Sequence, residues 1–414
     1  MSNNTVLVVG GGFSGITAAL EAAEVGYEVY IVEKEPYLGG RVAQLNQYFP
    51  KLCPPSCGLE IQFQRIKKNP NVHVLTMASV SSISGGPGAF EVKVDVAPRH
   101  VNENCTCCGA CAEEATTMVE CAFDFGLGKR KAAYLPTVFA FPQRYVIDAA
   151  KCGKAELTAM AEACAYDAID LDEAPKSLTL NVGAIVWATG WKPYDVTNLT
   201  NLGAGAIPNI ISNMQMERLA APSGPTSGKI LREDKSEPRS IAFVQCAGSR
   251  DENHLSFCSY ICCMASLKQA TYVRAQYPDA QVTIYYIDLR TPGRYEKFRA
   301  RIEQDDKVSF VKGKVAAVEA GADGAVVLTV ENAVDGVKMK ATHDLVVLAT
   351  GMQPSVAGQA LPAGIAADAE GFVAGDADNG IIACGCAKKP LDVMRSAQTA
   401  TGAALKAIQT VLGR

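Results

Sequence analysis

Histidine is scarce in this chain, with four in 414 residues. His73, His100, His254 and His343 are dispersed, and no acid–base pair or nucleophilic triad can be assembled around them. Basic residues are scattered and the formal charge is -4. Without an extended positive stripe to follow a phosphate backbone, nucleic acid is a poor partner. No apolar run reaches the roughly 20 residues that cross a bilayer. No N-terminal stretch combines a basic region, an apolar core and a small-residue cleavage site. These absences lead us to expect a cytoplasmic chain that does not span a membrane, with peripheral attachment through another protein left open.

What the chain has in quantity is cysteine, fifteen residues in a composition otherwise ordinary for a globular protein at 48% hydrophobic and 20% charged. They fall in clusters, at 53/57, 105/107/108/111/121, 152/164, 246/258/262/263 and 384/386. Reducing interiors disfavour structural disulfides, so clustering points to metal ligation or redox chemistry rather than random core filling. Cys121 reads equally well as a small buried hydrophobe.

Thr5 to Val9 has the pattern of a buried strand, and Gly10-Gly11-Gly12-Phe13-Ser14-Gly15 forms the turn after it. A small-residue helix follows, then a second strand at 29–34. Gly10 permits the tight turn, Gly12 lets the backbone approach a pyrophosphate, and Gly15 lets helix and strand pack closely. From Phe13 and Ser14 onward, the helix N-terminus offers unpaired N–H groups to negative charge. A glycine triad alone is a weak signal, but Glu33 ends the second strand and can accept hydrogen bonds from adenosine ribose hydroxyls.

Three features favour FAD over NAD. Glu33 leads into Lys34-Glu35-Pro36-Tyr37-Leu38-Gly39-Gly40-Arg41, which resembles the segment that brings glycines to the flavin end in flavoproteins with two dinucleotide-binding domains. Ala-Thr-Gly recurs at 188–190, supplying Thr189 and Gly190, and at 349–351. Gly375-Asp376 resembles the place where an aspartate holds the ribityl or pyrophosphate part of FAD. Lys388, in the loop after Cys384-Gly385-Cys386, could stabilise a reduced, anionic flavin.

A second βαβ is expected from a strand at 240–246, a helix at 256–275 and a strand at 282–287. Its turn, Gln245-Cys246-Ala247-Gly248-Ser249-Arg250, lacks a glycine triad and places a thiol where a second dinucleotide's phosphates would rest. Hydride uptake from NAD(P)H there is disfavoured. Cys246, Cys258, Cys262 and Cys263 can instead surround a [4Fe-4S] cluster, provided the helix begins or unwinds near 258. Zinc also suits four thiolates, but paired Cys-x2-Cys knuckles are missing.

Residues 100–170 have the look of an eroded two-cluster ferredoxin. Cys105, Cys108 and Cys111 give three ligands of one cluster and Cys164 the fourth. Ala115, Ala155 and Thr158 stand where ligands of the other would be, leaving Cys152 alone. Cys107 and Cys121 are substitutes for a ligand, and bare scaffold is the alternative. Cys53 and Cys57, in a proline-stiffened loop, are a less favoured redox dithiol.

The resulting division is 1–98, the first part of an FAD domain; 99–175, a ferredoxin-like insertion; and 176–237, a return to the FAD domain plus a linker. It continues with 238–345, a second Rossmann-like domain, and 346–414, the end of the FAD domain with a C-terminal helix.

Gly39 to Leu45, Phe49-Pro50, Gly126 to Ala132, Tyr145 to Asp148, Cys246 to Asp251 and Cys258 to Met264 resemble the flavin-containing A subunit of heterodisulfide reductase. The resemblance is nearest to the branch serving the quinone-interacting membrane-bound oxidoreductase of sulfate reducers. It covers nearly the whole chain, which departs from many members in lacking the full set of ferredoxin cysteines.

The resemblance implies an α/β, thioredoxin-reductase-like fold with two dinucleotide-binding domains and a small degenerate ferredoxin-like insertion. It implies FAD in the first domain and a [4Fe-4S] cluster on Cys246, Cys258, Cys262 and Cys263. Two partners are also implied: an iron–sulfur flavoprotein B subunit, together with a haem-containing membrane C subunit. Electrons would be exchanged between the quinone pool and adenylylsulfate reductase. The expected function is electron transfer within such a complex. The rivals are a stand-alone NAD(P)H-dependent disulfide or sulfur reductase and a scaffold that keeps its cofactors structurally.

Overall fold

The computed structural model describes residues 3–362, 364–375 and 378–413. Two compact units divide the chain, Met1–Trp191 with Pro354–Arg414 and Lys192–Gln353.

The first unit opens with β1 (Thr5–Val9), α1 (Phe13–Ala23) and β2 (Glu28–Glu33), followed by α2 (Ser56–Lys68) and β3 (Val72–Thr76). Every residue of β1 is buried, as suits a parallel strand covered on both faces. The sheet is parallel, in the order Ile381–Ala383, Ala184–Trp187, β1, β2, β3. Two of its strands thus arrive after long excursions. Ala18, Ala19 and Ala22 of α1 share a buried cluster with Ala400, Ala403, Ala404 and Ala407 of the C-terminal helix Val393–Val411. Such small side chains let helix backbones approach without leaving voids.

A separate antiparallel sheet joins β4 (Ala78–Gly86), β5 (Ala89–Val96) and the strand Lys176–Val182. Phe90, Val92 and Val94 of β5 point inward at alternate positions, the period of a half-buried strand. Between β5 and Lys176 lies the insertion, with α3 (Ala110–Glu114), α4 (Lys154–Glu162) and short strand pairs. Its core is small: Val101, Cys111, Ala115, Ala133, Ile147, Met160 and Ala168. Arg99 fastens it, donating to the carbonyls of Pro36 at 2.9 Å, Tyr145 at 3.0 Å and Arg144 at 2.9 Å.

The second unit carries a seven-stranded sheet ordered 210–212, 345–350, 240–247, 281–286, 308–320, 326–332, 338–343. The first four pairings are parallel and the last two antiparallel. Its helices are α5 (Asn213–Ala220), α6 (Cys262–Gln276) and α7 (Glu296–Glu303). A capping box at Ser212 and Gln215 starts α5. A buried Lys268–Glu217 pair at 3.1 Å links α5 to α6.

Residues 192–237 and 346–353 fall in the second unit, because Ile210–Ser212 pairs with Leu345–Thr350 in its sheet. Helix α6 begins at Cys262 rather than near 256, since Tyr260 has φ +68° and breaks helical geometry. Among the described residues, no helix is long and apolar enough to cross a membrane.

Candidate cofactor site and thiol clusters

The turn between β1 and α1 is built by steric exclusion. Gly10 has φ +104°, and a Cβ there would strike the Ala188 carbonyl. A Cβ on Gly15 would overlap the Gly10 carbonyl oxygen, so helix and turn could not pack. At Gly12 the nearest atom to such a Cβ is Gly40 Cα at 3.8 Å. The protein's own packing therefore leaves room beside Gly12, where a phosphate needs it. Gly12 is also the N-cap of α1 and supplies no capping side chain, so the N–H groups at Phe13 and Ser14 face the turn uncapped.

Glu33 reaches back to this turn. Its Oε2 accepts from the Gly11 N–H at 2.6 Å and its Oε1 from the Glu35 N–H at 2.8 Å. Burial pushes its carboxyl up to about 7, against the pull of those N–H bonds. Thr189 stands at the end of the neighbouring strand, where Ala188 N donates to Val9 O at 2.7 Å. The Thr189 hydroxyl is buried with no protein partner, and a buried hydroxyl in that state calls for one. A buried acid, an open glycine and an orphaned hydroxyl around one turn fit a dinucleotide.

Two segments far away in sequence close on the same place. Gly39 donates its N–H to Gly11 O at 2.8 Å, and a Cβ on Gly40 would lie 2.9 Å from Gly12 Cα. A Cβ on Gly385 would collide with the Ser14 hydroxyl. Gly39 is among the glycines expected near the flavin end, whereas Gly11 and Gly385 are additions to the residues expected at the site. Only their tertiary contacts distinguish them from other glycines.

The remaining expected residues are placed as follows. Lys34 and Lys388 are exposed. Gly190 follows Thr189 with φ +70°. Gly375 is exposed after the strand Val373–Ala374, and Asp376 lies outside the described residues. Arg41 is engaged by the protein itself, donating from Nε to Trp191 O at 3.1 Å and from Nη1 to Gln44 Oε1 at 2.8 Å. Its guanidinium lies 5.5 Å from the centre of the Phe125 ring, so its geometry is that of a clamp between the 40–44 turn and the insertion.

In the second unit, the parallel register between 240–247 and 345–350 shifts between Val244 and Ala247, and Cys246 has φ +57°. This irregularity re-aims the thiol out of the sheet's alternation. Cys258 Sγ accepts from the Tyr260 N–H at 3.4 Å, and Cys262 and Cys263 open α6. Their thiols donate to Thr350 O at 3.6 Å and Asp288 O at 3.5 Å. Burial drives the Cys262 thiol far up, and the charges of Cys263, Cys246 and Cys258 add to the effect. The four sulfurs thus share one electrostatic neighbourhood.

In the insertion, one small pocket is lined by Cys105, Cys108, Cys111 and Cys164, with Gly109, Tyr145 and Tyr166. Burial raises Cys111 to about 11, with Cys105, Cys108 and Cys164 contributing. Cys107 also interacts with Cys105 but donates to Gln143 O at 3.2 Å. Cys121 is buried outside the pocket. The other half of the module is occupied by a protein network, in which Glu156 accepts from Thr116 N at 2.6 Å, Thr117 N at 2.7 Å and Thr117 Oγ1 at 2.6 Å. Cys152 nearby donates to Asp148 O at 3.6 Å.

Both thiol sets have the donor chemistry of iron–sulfur ligation. Among the described residues, no three His, Cys, Asp or Glu side chains converge as a ready site for a metal ion. The last cysteine pair, Cys384 and Cys386, is buried and raised to about 12 and about 11 by desolvation.

The fold and this site define a class: an α/β flavoprotein oxidoreductase with a thioredoxin-reductase-like architecture. Residues 5–52 match the FAD dependent oxidoreductase family. Thioredoxin reductase from Lactococcus lactis superposes with a TM-score of 0.54 at 14% identity, covering 99% of this chain and 100% of that one. Thioredoxin reductase from T. acidophilum gives 0.52 at 14% identity, with 99% and 98% covered.

Sequence relatives are more specific. The chain is 36% identical over 424 residues to the A subunit of the Ferredoxin:CoB-CoM heterodisulfide reductase of Methanosarcina mazei, covering 99% of this chain and 53% of that protein. It is 34% identical to the A subunit of the H(2):CoB-CoM heterodisulfide,ferredoxin reductase of Methanothermobacter marburgensis, with 98% and 63% covered. To the iron-sulfur A subunit of the CoB--CoM heterodisulfide reductase of Methanocaldococcus jannaschii it is 39% identical over 360 residues, with 85% and 54% covered. Over nearly its whole length the chain is similar to the A subunits of heterodisulfide reductases. It spans between about half and two thirds of the length of these relatives.

Proposed function

We propose that this chain transfers electrons within a multi-subunit oxidoreductase, with FAD held in the first unit and iron–sulfur clusters held by its thiols. One [4Fe-4S] cluster is assigned to Cys246, Cys258, Cys262 and Cys263, and a second to Cys105, Cys108, Cys111 and Cys164. Flavin supplies exchange of two electrons and clusters exchange of one, so together they can pool or split electrons between carriers. The chain's own groups bind and orient. Glu33 accepts from ribose hydroxyls, the α1 N-terminus faces the pyrophosphate, and Thr189 meets the cofactor with its otherwise unpaired hydroxyl.

The observation that carries this reading is the pairing of an intact glycine-and-Glu33 turn in the first unit with a thiol at the equivalent turn of the second. By resemblance, the complex links the menaquinone pool to adenylylsulfate reductase, peripherally at the inner membrane. Its other members would be an iron–sulfur flavoprotein B subunit, together with a haem-bearing membrane C subunit. The test is anaerobic purification with flavin, iron and acid-labile sulfide quantified together. Cys262→Ser should remove roughly four irons per chain and leave FAD bound. Zinc in place of iron, or an iron content unchanged by the substitution, overturns the cluster assignment. Rapid bleaching of the flavin by NADH without partner subunits overturns the dependence on a complex.

A further inference from the structure

We infer that Arg250 and Arg290 set the reduction potential of the cluster assigned to Cys246, Cys258, Cys262 and Cys263, holding it above the value that four thiolates alone would give. The inference rests on the cluster reading just proposed. Four thiolates make a cluster site strongly negative, and reduction adds a further electron, so fixed positive charge and hydrogen bonds to sulfur favour the reduced state.

The structure supplies both, the charge from two guanidinium groups and a hydrogen bond to sulfur from the Tyr260 N–H, which donates to Cys258 Sγ at 3.4 Å. Arg250 follows the bulged Cys246 by one tight turn, anchored where its own N–H donates to Phe257 O at 3.0 Å. The charge of its side chain reaches Cys246, and its Nη2 lies 2.9 Å from Asp288 Oδ2. Arg290 lies 3.8 Å from the same carboxylate, and its charge reaches both Cys246 and Cys263. Asp288 completes the arrangement through its carbonyl, which accepts from the Cys263 thiol at 3.5 Å. One residue therefore pairs with Arg250, lies near Arg290 and touches the sulfur of Cys263. A surface ion pair contributes little to stability, so stability alone does not account for two arginines gathered on one aspartate at the thiols. The two cations outnumber the one carboxylate, leaving net positive charge beside the sulfurs.

The experiment uses the full chain purified anaerobically with its cofactors, comparing wild type, R250Q, R250K and R290Q. Iron and sulfide are measured first, and the cluster and flavin midpoint potentials are then obtained by redox titration followed by EPR and visible absorption. R250Q and R290Q should keep wild-type iron and shift the cluster potential downward while leaving the flavin potential in place. R250K should shift it less than R250Q. The Arg290 effect should shrink as salt is raised, because its side chain is 51% exposed. If R250Q sheds iron, R290Q carries the test, since Arg290 acts on Cys246 through its charge. Unchanged cluster potential in an iron-replete R290Q overturns the inference and leaves the cluster reading intact. Wild type without iron and sulfide overturns both.

Discussion

Glu33 makes the first unit's stability depend on pH in a direction opposite to that of most carboxylates. Burial raises its carboxyl from 4.5 to about 7. A raised folded value means that the native state binds the proton more tightly than the unfolded chain. The resulting stabilisation is complete below 4.5 and disappears as pH climbs through 7. At about 1.4 kcal/mol per unit, the separation amounts to about 3 kcal/mol. Both tryptophans, Trp187 and Trp191, lie in the first unit, so intrinsic fluorescence follows that unit during urea unfolding. Flavin-free wild type should lose stability relative to Glu33→Gln between pH 4.5 and 8.5, by up to that amount. The lost acceptor in the variant, where Gly11 and Glu35 now donate to Glu33, adds an offset that does not vary with pH. Parallel curves for the two proteins would refute the reasoning. In the flavin-loaded protein, the same substitution should weaken cofactor retention, because the ribose hydroxyls lose a charged acceptor.

His343 should act in the second unit with the contrary sign. Its folded value falls from 6.5 to about 4 through burial, so its contribution is present above 6.5 and lost on acidification towards 4, a decline that hydrogen exchange of the Tyr285 and Ser240 amides will follow. Glycine substitutions should separate binding from folding. Gly12→Ala meets only Gly40 Cα at 3.8 Å and should fold but release FAD, whereas Gly15→Ala overlaps the Gly10 carbonyl and should lower the thermal midpoint. Equal thermal losses in the two would contradict the steric argument. Brief alkylation of the folded chain should label exposed Cys57 and spare Cys384 and Cys386, which are buried. Protection of Cys57 by mass spectrometry would show that its surroundings differ.

Features that depend on neighbours along the chain were legible from the residues. The Gly10 to Gly15 turn and its flanking strands arise from local periodicity and glycine spacing. That a helix from 256 would have to begin or unwind near 258 was also legible, because three thiols cannot share one face of a continuous helix, and the helix in fact starts at Cys262. Features arising from long-range packing were not. Ile210–Ser212 is three residues long, too short for an alternation to declare which sheet it joins. The register shift at Cys246 exists only in relation to its partner strand, and Arg99 shows its role only once three carbonyls have gathered around it. Gly385 looks like any loop glycine until Ser14 is set beside it.

The first unit is assembled from two separated stretches, while Lys192–Gln353 is continuous. As the polypeptide leaves the ribosome, the continuous unit has all its strands in hand while the nucleotide-binding sheet still waits for Ile381–Ala383. Completion of that sheet therefore waits for the second stretch of the first unit. A chain stalled or clipped near 360 would keep every strand of the continuous, thiol-bearing unit yet be unable to complete the parallel sheet of the other.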